Sequence, residues 1–383
     1  MAEKLSGPDL VQLVRRVFAP GPRDSGLAIM VDVPDEALPD NADWSERRAM
    51  AAEWATLLDG RREELGLQRV SLAWYRHADG NNADLPDAFA YGTGGGLPAG
   101  WDDIRILPPV PFAELFARHS LILAPTELSA TAPLKVAARG GAFRAATMPG
   151  FLPSMIPALK LDYVEINRRV GILKALLDRA EAATLVFRAG GRRHELRLDL
   201  RHRQAHASGG LILQDGTAGN LPSGEAYIVP YEGERPGDPS RSAGELPVEF
   251  DGEVVVYEIA ANRAVAVRSA GPRSDAEREL IAREPAYANL AELGLGVLAD
   301  FGLVPVGSLL LDEKLGLHVA FGRSDHFGGA VGPRDFSSPQ AVVHQDRVYI
   351  PETQPAVAVE SVTLTGPGGQ KPLMAGGRYA DLF

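Results

Sequence analysis

The sequence predicts two parts. An α/β N-terminal domain with a parallel sheet spans residues 1–180, and a mostly antiparallel, β-rich (α+β) C-terminal domain spans residues 181–383. Three observations carry this. A chain of 383 residues is longer than one hydrophobic core ordinarily organises. In the first part, short apolar runs alternate with stretches of helical periodicity, as in a parallel layer covered by helices. From Thr184 onward the pattern changes: ATLVFRAGGRRHELRLDL alternates apolar and polar residues around Gly190 and Gly191, a hairpin signal.

Each element follows from its local pattern. Residues 5–18 read as an amphipathic helix, and 26–32 (GLAIMVD) is a continuous apolar run suited to a buried parallel strand. Residues 44–65 have helical periodicity and 68–75 form a second strand. The Gly-rich stretch 92–100 lacks a complete G-x-G-x-x-G and the helix that should follow it, so it reads as a flexible loop. A helix at 112–119, a strand at 120–124, a helix at 131–140 and a strand at 143–147 complete the layer. His77 and His119 lie here without matching carboxylate clusters and read as structural or solvent-facing. Residues 161–182 form a long helical connector. Beyond the hairpin come strands at 224–229, 247–250, 252–259 and 264–268, a helical interlude at 273–288, and closing strands at 361–364 and 373–374.

Composition narrows the chemistry. The hydrophobic fraction of 45% and charged fraction of 23% are those of an ordinary globular protein. A formal charge of -11 disfavours nucleic acid as a partner, because phosphate backbones are held by clustered Lys and Arg. With no cysteine, disulfides, thiolate nucleophiles, zinc ribbons and Cys-ligated iron–sulfur clusters are excluded. The first residues lack an apolar core of signal-peptide length, and no run reaches the length of a spanning helix. The expectation is a cytoplasmic protein with no membrane partner. Any metal site must be built from His, Asp, Glu and Tyr.

The second half holds such residues. In V-H-Q-D-R-V, His344 and Asp346 share one face of a strand, because side chains repeat every second residue. They read as half a metal site, as an acid/base pair, or as a surface His beside a surface Asp. NLPSGEAYIVP places Glu225 after a turn and before a strand. LAELGLGVLA places Glu292 in apolar company, where a carboxylate needs a partner. LLLDEKLGLHVAFG contributes Asp312, Glu313 and His318. Singly, each carboxylate reads as a solvated surface residue. Together they form an oxygen and nitrogen ligand set. No G-x-S-x-G elbow, H-E-x-x-H helix or P-loop is present.

The segments NLPSGEAYIVP, AELGLG, LLLDEKLGLHVAFG and VVHQD, in this order, resemble the metal-binding half of the aminopeptidase T (M29) family. The N-terminal LAPTELSATAPLKVAARGGAFRAATMPGF resembles that family's first domain, so the likeness spans most of the chain. It implies an N-terminal α/β domain, a β-rich catalytic domain, a homodimer, and a site for one or two divalent ions (Zn, Co or Mn) acting on peptide N-termini. On this resemblance Glu225, Glu292, His318, His344 and Asp346 are metal ligands, and Glu313 carries the proton or holds His318. The family's Tyr ligand is absent here: R-S-D-H-F stands in its place, and His326 is expected to substitute, with Asp325 competing. The same superfamily contains ring-cleaving dioxygenases acting on dihydroxypyridine with one Fe(II), which sets an alternative small-molecule substrate. A non-catalytic peptide-binding or biosynthetic partner protein is the third possibility.

Overall fold

The structure, a computed structural model, describes residues 3–92 and 96–383. Residues 93–95 of the Gly-rich stretch lie outside the described residues. The chain forms two compact units, Met1–Ile166 with Ser208–Ser223, and Asn167–Ala207 with Gly224–Phe383. The α/β plus β-rich architecture is the one the sequence predicts.

The first unit is built on a seven-stranded sheet in the order Ala218–Asn220, Arg144–Thr147, Leu121–Ala124, Gly26–Val33, Arg69–Arg76, Ala88–Tyr91, Val110–Pro111. The Gly26–Val33 strand is buried at every position and pairs in parallel with Arg69–Arg76 and Leu121–Ala124. A β-strand covered on both faces needs apolar residues throughout rather than alternation, which is why GLAIMVD reads as one run. The sheet is not wholly parallel: Ala88–Tyr91 and Val110–Pro111 add antiparallel at one edge. These two short strands carry no sequence signal long enough to predict. At the other edge Ala218–Asn220, from the second half of the sequence, pairs in parallel with Arg144–Thr147.

Local chemistry sets the helix limits. The first helix starts at Gly7 rather than Leu5, because Ser6 and Asp9 form a reciprocal capping box and Pro8 sits in the first turn. The stretch predicted as one helix over 44–65 ends at Asp59, and a separate turn Arg62–Leu65 follows Gly60. The helix predicted at 273–288 stops at Arg283: Glu284 precedes Pro285 and leaves the helical region.

The second unit holds two sheets. The eight-stranded one contains the predicted hairpin, Ala182–Ala189 with Arg192–Asp199, turned by Gly190 and Gly191 at positive φ. The five-stranded one runs His344–Val348, Leu317–Gly322, Leu290–Gly296, Glu225–Ile228, His206–Ser208. Its first four strands pair antiparallel in sequence. No helix among the described residues is long and apolar enough to cross a membrane.

Candidate metal centre

The five-stranded sheet gathers the candidate ligands by register. Gly294 pairs with both Tyr227 and His318, Glu292 and Asp346 both pair with Ala320, and His344 pairs with Gly322. Side chains at every second position share a face. One face of this sheet therefore carries Glu225 and Tyr227, Glu292, His318, and His344 and Asp346. The residues between them on that face are Gly294, Gly296, Ala320 and Gly322, which leave room. A Cβ on Gly294 would stand 1.8 Å from His318 Nε2. A Cβ on Gly296 would collide with the Lys314 backbone. These two glycines let the His318 ring and the 313–315 turn lie against the face.

The five side chains make two groups of possible ligands, Glu225 with Glu292 and His318, and Glu292 with His344 and Asp346. Glu292 belongs to both. Its Oε1 is 3.2 Å from His318 Nε2 and its Oε2 is 3.3 Å from His344 Nε2. His318 Nε2 also lies 3.5 Å from Glu225 Oε2, and His344 Nε2 lies 3.6 Å from Asp346 Oδ1. Both rings are oriented through their other nitrogen. His344 Nδ1 donates to the Arg323 carbonyl at 2.7 Å, and His318 Nδ1 donates to the Gly316 carbonyl at 3.3 Å. This fixes Nε2 as the nitrogen that faces the carboxylates, the arrangement found for ligating imidazoles.

Burial makes these charges strongly interdependent. Glu225, Glu292, His318 and Asp346 are each less than one-tenth exposed. Burial, the largest influence, pushes the Glu292 carboxyl up, but hydrogen bonds from His318 and His344 outweigh it and hold it well below the usual range. Burial presses His318 down, yet Glu292 and Glu225 raise it to about 9. His344 is likewise raised, against burial, by Asp346 and Glu292. Lys314, 1% exposed, puts its ammonium 2.6 Å from Glu225 Oε1 and also against Glu313. Burial lifts the Glu313 carboxyl to about 8 despite Lys314.

Two oxygens decide what this cluster is for. Among the described residues, the buried carboxylate oxygens without a hydrogen-bond partner are Glu225 Oε2 and Asp346 Oδ1. One comes from each group. An unpartnered buried carboxylate oxygen is costly, and each of these two lies in a group that could hold a cation. The donor set, imidazole nitrogen and carboxylate oxygen, suits Zn, Mn, Co or Fe(II). The residues fit a metal site.

The other predicted residues lie at its margin. Glu313 touches Lys314 and belongs to neither group. His326, about one-third exposed, sits in the short turn Asp325–Phe327. Its ring is 5.3 Å from that of His344, centroid to centroid, and it too belongs to neither group. Asp325 accepts from Arg323 Nε at 2.6 Å. Asp312 accepts backbone N–H groups of Val306 and Gly307, a loop-closing role. His77, bonded to Asp35, and His119, bonded to Leu115 and Ser71, are buried structural residues. Sequence reasoning missed Lys314 and Tyr227. Tyr227 had a usable signal, since it follows Glu225 by two in a strand and so shares its face. Its ring packs against His206 and Phe327, with centroids at 5.1 and 4.8 Å, and Phe327 lies 5.4 Å from His344.

Solved structures of two enzymes share this architecture nearly end to end. The 2,5-dihydroxypyridine dioxygenase of Pseudomonas putida KT2440 aligns with a TM-score of 0.62 at 14% identity, over 98% of each chain. AmpT from Thermus thermophilus aligns with a TM-score of 0.56 at 16% identity, over 97% of this chain and 99% of its own. The fold is the one these two structures share. No protein-family model and no curated relative matches the sequence. At these identities the likeness concerns the fold alone, and the chemistry must be argued from the residues.

Proposed function

We propose that the chain is a metal-dependent hydrolase of the aminopeptidase kind, with two cation positions joined by Glu292. The observation that carries this is the division of the Glu292 carboxylate, one oxygen toward His318 and the other toward His344. A carboxylate that faces both groups could serve a cation in each. Glu225, Glu292 and His318 hold the first position, and Glu292, His344 and Asp346 hold the second. His326, which burial and the neighbouring His344 push down to about 4, is a neutral imidazole at physiological pH and is the further ligand available to the second position. Divalent ions held there supply Lewis-acid polarisation of a carbonyl and a water of lowered pKa.

The chain's own groups do the rest. Glu313, with its carboxyl near 8, can take a proton from water and return it to a leaving amine near neutral pH. Lys314 keeps Glu313 and Glu225 apart as charges and fixes where each points. Tyr227 and Phe327 present aromatic surface beside the ligands for the part of the substrate that does not react. A peptide with a free N-terminus is the substrate class in this reading.

A second reading is a one-iron ring-cleaving dioxygenase. What favours it is the dioxygenase neighbour, which aligns over the full chain with a TM-score of 0.62. One assay separates the two. Protein remetallated with Zn, Co or Mn is offered a panel of aminoacyl amides, and protein loaded with Fe(II) is offered 2,5-dihydroxypyridine under oxygen-uptake measurement. Amine release in the first arm supports the hydrolase. Oxygen uptake without amine release overturns it in favour of the dioxygenase.

A further inference from the structure

The two cation positions are not equivalent. In the second group, among the described residues, His344 is the cationic side chain paired with Asp346, whose Oδ1 is without a hydrogen-bond partner. His344 is held at its rear nitrogen by a short 2.7 Å bond to the Arg323 carbonyl. In the first group, Glu225 has one of its two oxygens occupied by the buried Lys314 ammonium at 2.6 Å, so only Oε2 remains for a ligand. The rear bond of His318 is longer, 3.3 Å. An arriving dication at the first position meets a fixed positive charge a few ångströms away, in surroundings where charges are weakly screened. At the second position, among the described residues, no lysine or arginine side chain is bonded to Asp346 or His344, and the neighbouring Arg323 guanidinium is paired with Asp325.

Lys314 has no freedom to withdraw. It is 1% exposed, and both its partners are carboxylates on the site side. The 313–315 turn that carries it is seated against Gly296, where any side chain would collide with the Lys314 backbone. The ammonium is therefore a built-in part of the first position rather than a passing visitor.

We propose that the two positions fill in a fixed order, Glu292/His344/Asp346 first and Glu225/Glu292/His318 second, and that Lys314 sets the gap between them. Lys314 acts as a positioning residue: it limits Glu225 to one ligating oxygen and lowers the attraction of the first group for a dication. At limiting metal the chain carries one ion, and at excess metal it carries two. This inference rests on the metal-binding part of the reading above, but not on hydrolysis.

The test is calorimetric titration of the full chain, stripped with chelator, with Mn²⁺ or Zn²⁺. Wild type is expected to show two steps separated by at least about tenfold in affinity, the scale of a single poorly screened charge. Asp346→Asn should remove or severely weaken the tight step, and Glu225→Gln the weak one. Lys314→Met should tighten the weak step about tenfold and leave the tight step within about threefold. A merely structural lesion would loosen binding, so tightening is the informative direction. Loss of the tight step in Glu225→Gln overturns the order, as does an unchanged or weaker second step in well-folded Lys314→Met. If Lys314→Met does not fold, the Glu225→Gln and Asp346→Asn titrations still decide the order. A wild type that binds two ions in this order yet releases no amine refutes the hydrolase and leaves this inference standing. Two ions in the opposite order refute this inference alone.

Discussion

Two buried carboxylate sites, one in each unit, are built in opposite ways. In the first, Asp32 is fully buried at the end of the central strand, and its oxygens accept from Glu127 N at 2.7 Å, Leu128 N at 2.9 Å and Trp44 Nε1 at 3.1 Å. Burial lifts its carboxyl to about 6 in spite of these donors. Nothing is left over, and the residue pins a loop and a helix to the sheet. In the second unit, Glu225 and Asp346 are nearly as buried, but each keeps one oxygen without a hydrogen-bond partner, faced by an imidazole at 3.5 and 3.6 Å. A saturated buried carboxylate is part of the architecture. An unsaturated one leaves an acceptor free for a ligand.

That contrast makes predictions of graded size. The largest concerns Asp32. Asp32→Ala strands three buried donors and should cost about 3–5 kcal/mol of stability by denaturant titration. Asp346→Asn in metal-free protein strands no buried donor at Oδ1 and should cost less, the loss confined to its pairing with His344. Equal losses at the two positions would remove the distinction between pinned and waiting carboxylates. Next comes ligand linkage. At a metal concentration a hundred times the dissociation constant, wild type should gain about 2.7 kcal/mol, read as a rise in Tm, and Asp346→Asn should gain far less.

The pH response is smaller and has a definite sign. His318 titrates near 9 in the folded chain, above the ordinary 6.5, so its contribution is complete below pH 6.5 and is lost as pH rises through 9. Glu313, raised from 4.5 to about 8, acts in the same direction between those values. The Tm of metal-free protein should therefore fall by several degrees between pH 6.5 and 9, and metal should abolish most of that slope. A metal-free Tm that rises over this range would contradict the charge arrangement. The smallest effect belongs to the margin. His326→Ala should weaken metal binding less than His344→Ala, because it lies outside both ligand groups.

How far the sequence alone reaches can be seen residue by residue. The hydrophobic run of Gly26–Val33 and the alternation around Gly190–Gly191 are local signals, and they identify their strands directly. Leu290–Gly296 gives a weaker signal. It is buried at all seven positions, so it has no alternation, and two of its residues are glycines that disfavour a strand. Those glycines serve the site, a purpose visible only once His318 is seen lying over Gly294. His344 and Asp346 were legible as a pair because strand periodicity alone puts them on one face. The sharing of Glu292 was not, since it depends on the register of three strands far apart in sequence. Lys314 was invisible for the same reason: a lysine between a glutamate and a leucine reads as a surface residue until the fold buries it against Glu225.

The central claim is that Glu292 joins two cation positions, and metal stoichiometry tests it most directly. Chelator-stripped protein is equilibrated with a saturating excess of Zn²⁺ or Mn²⁺, and the metal bound at equilibrium is measured by dialysis beside Glu292→Gln. The account predicts two equivalents on the wild type and a loss at both positions in the single variant, because one carboxylate serves both groups. Wild type that binds less than about 0.2 equivalents contradicts it, since a site with this donor set should hold its metal. So does a Glu292→Gln protein that still holds two.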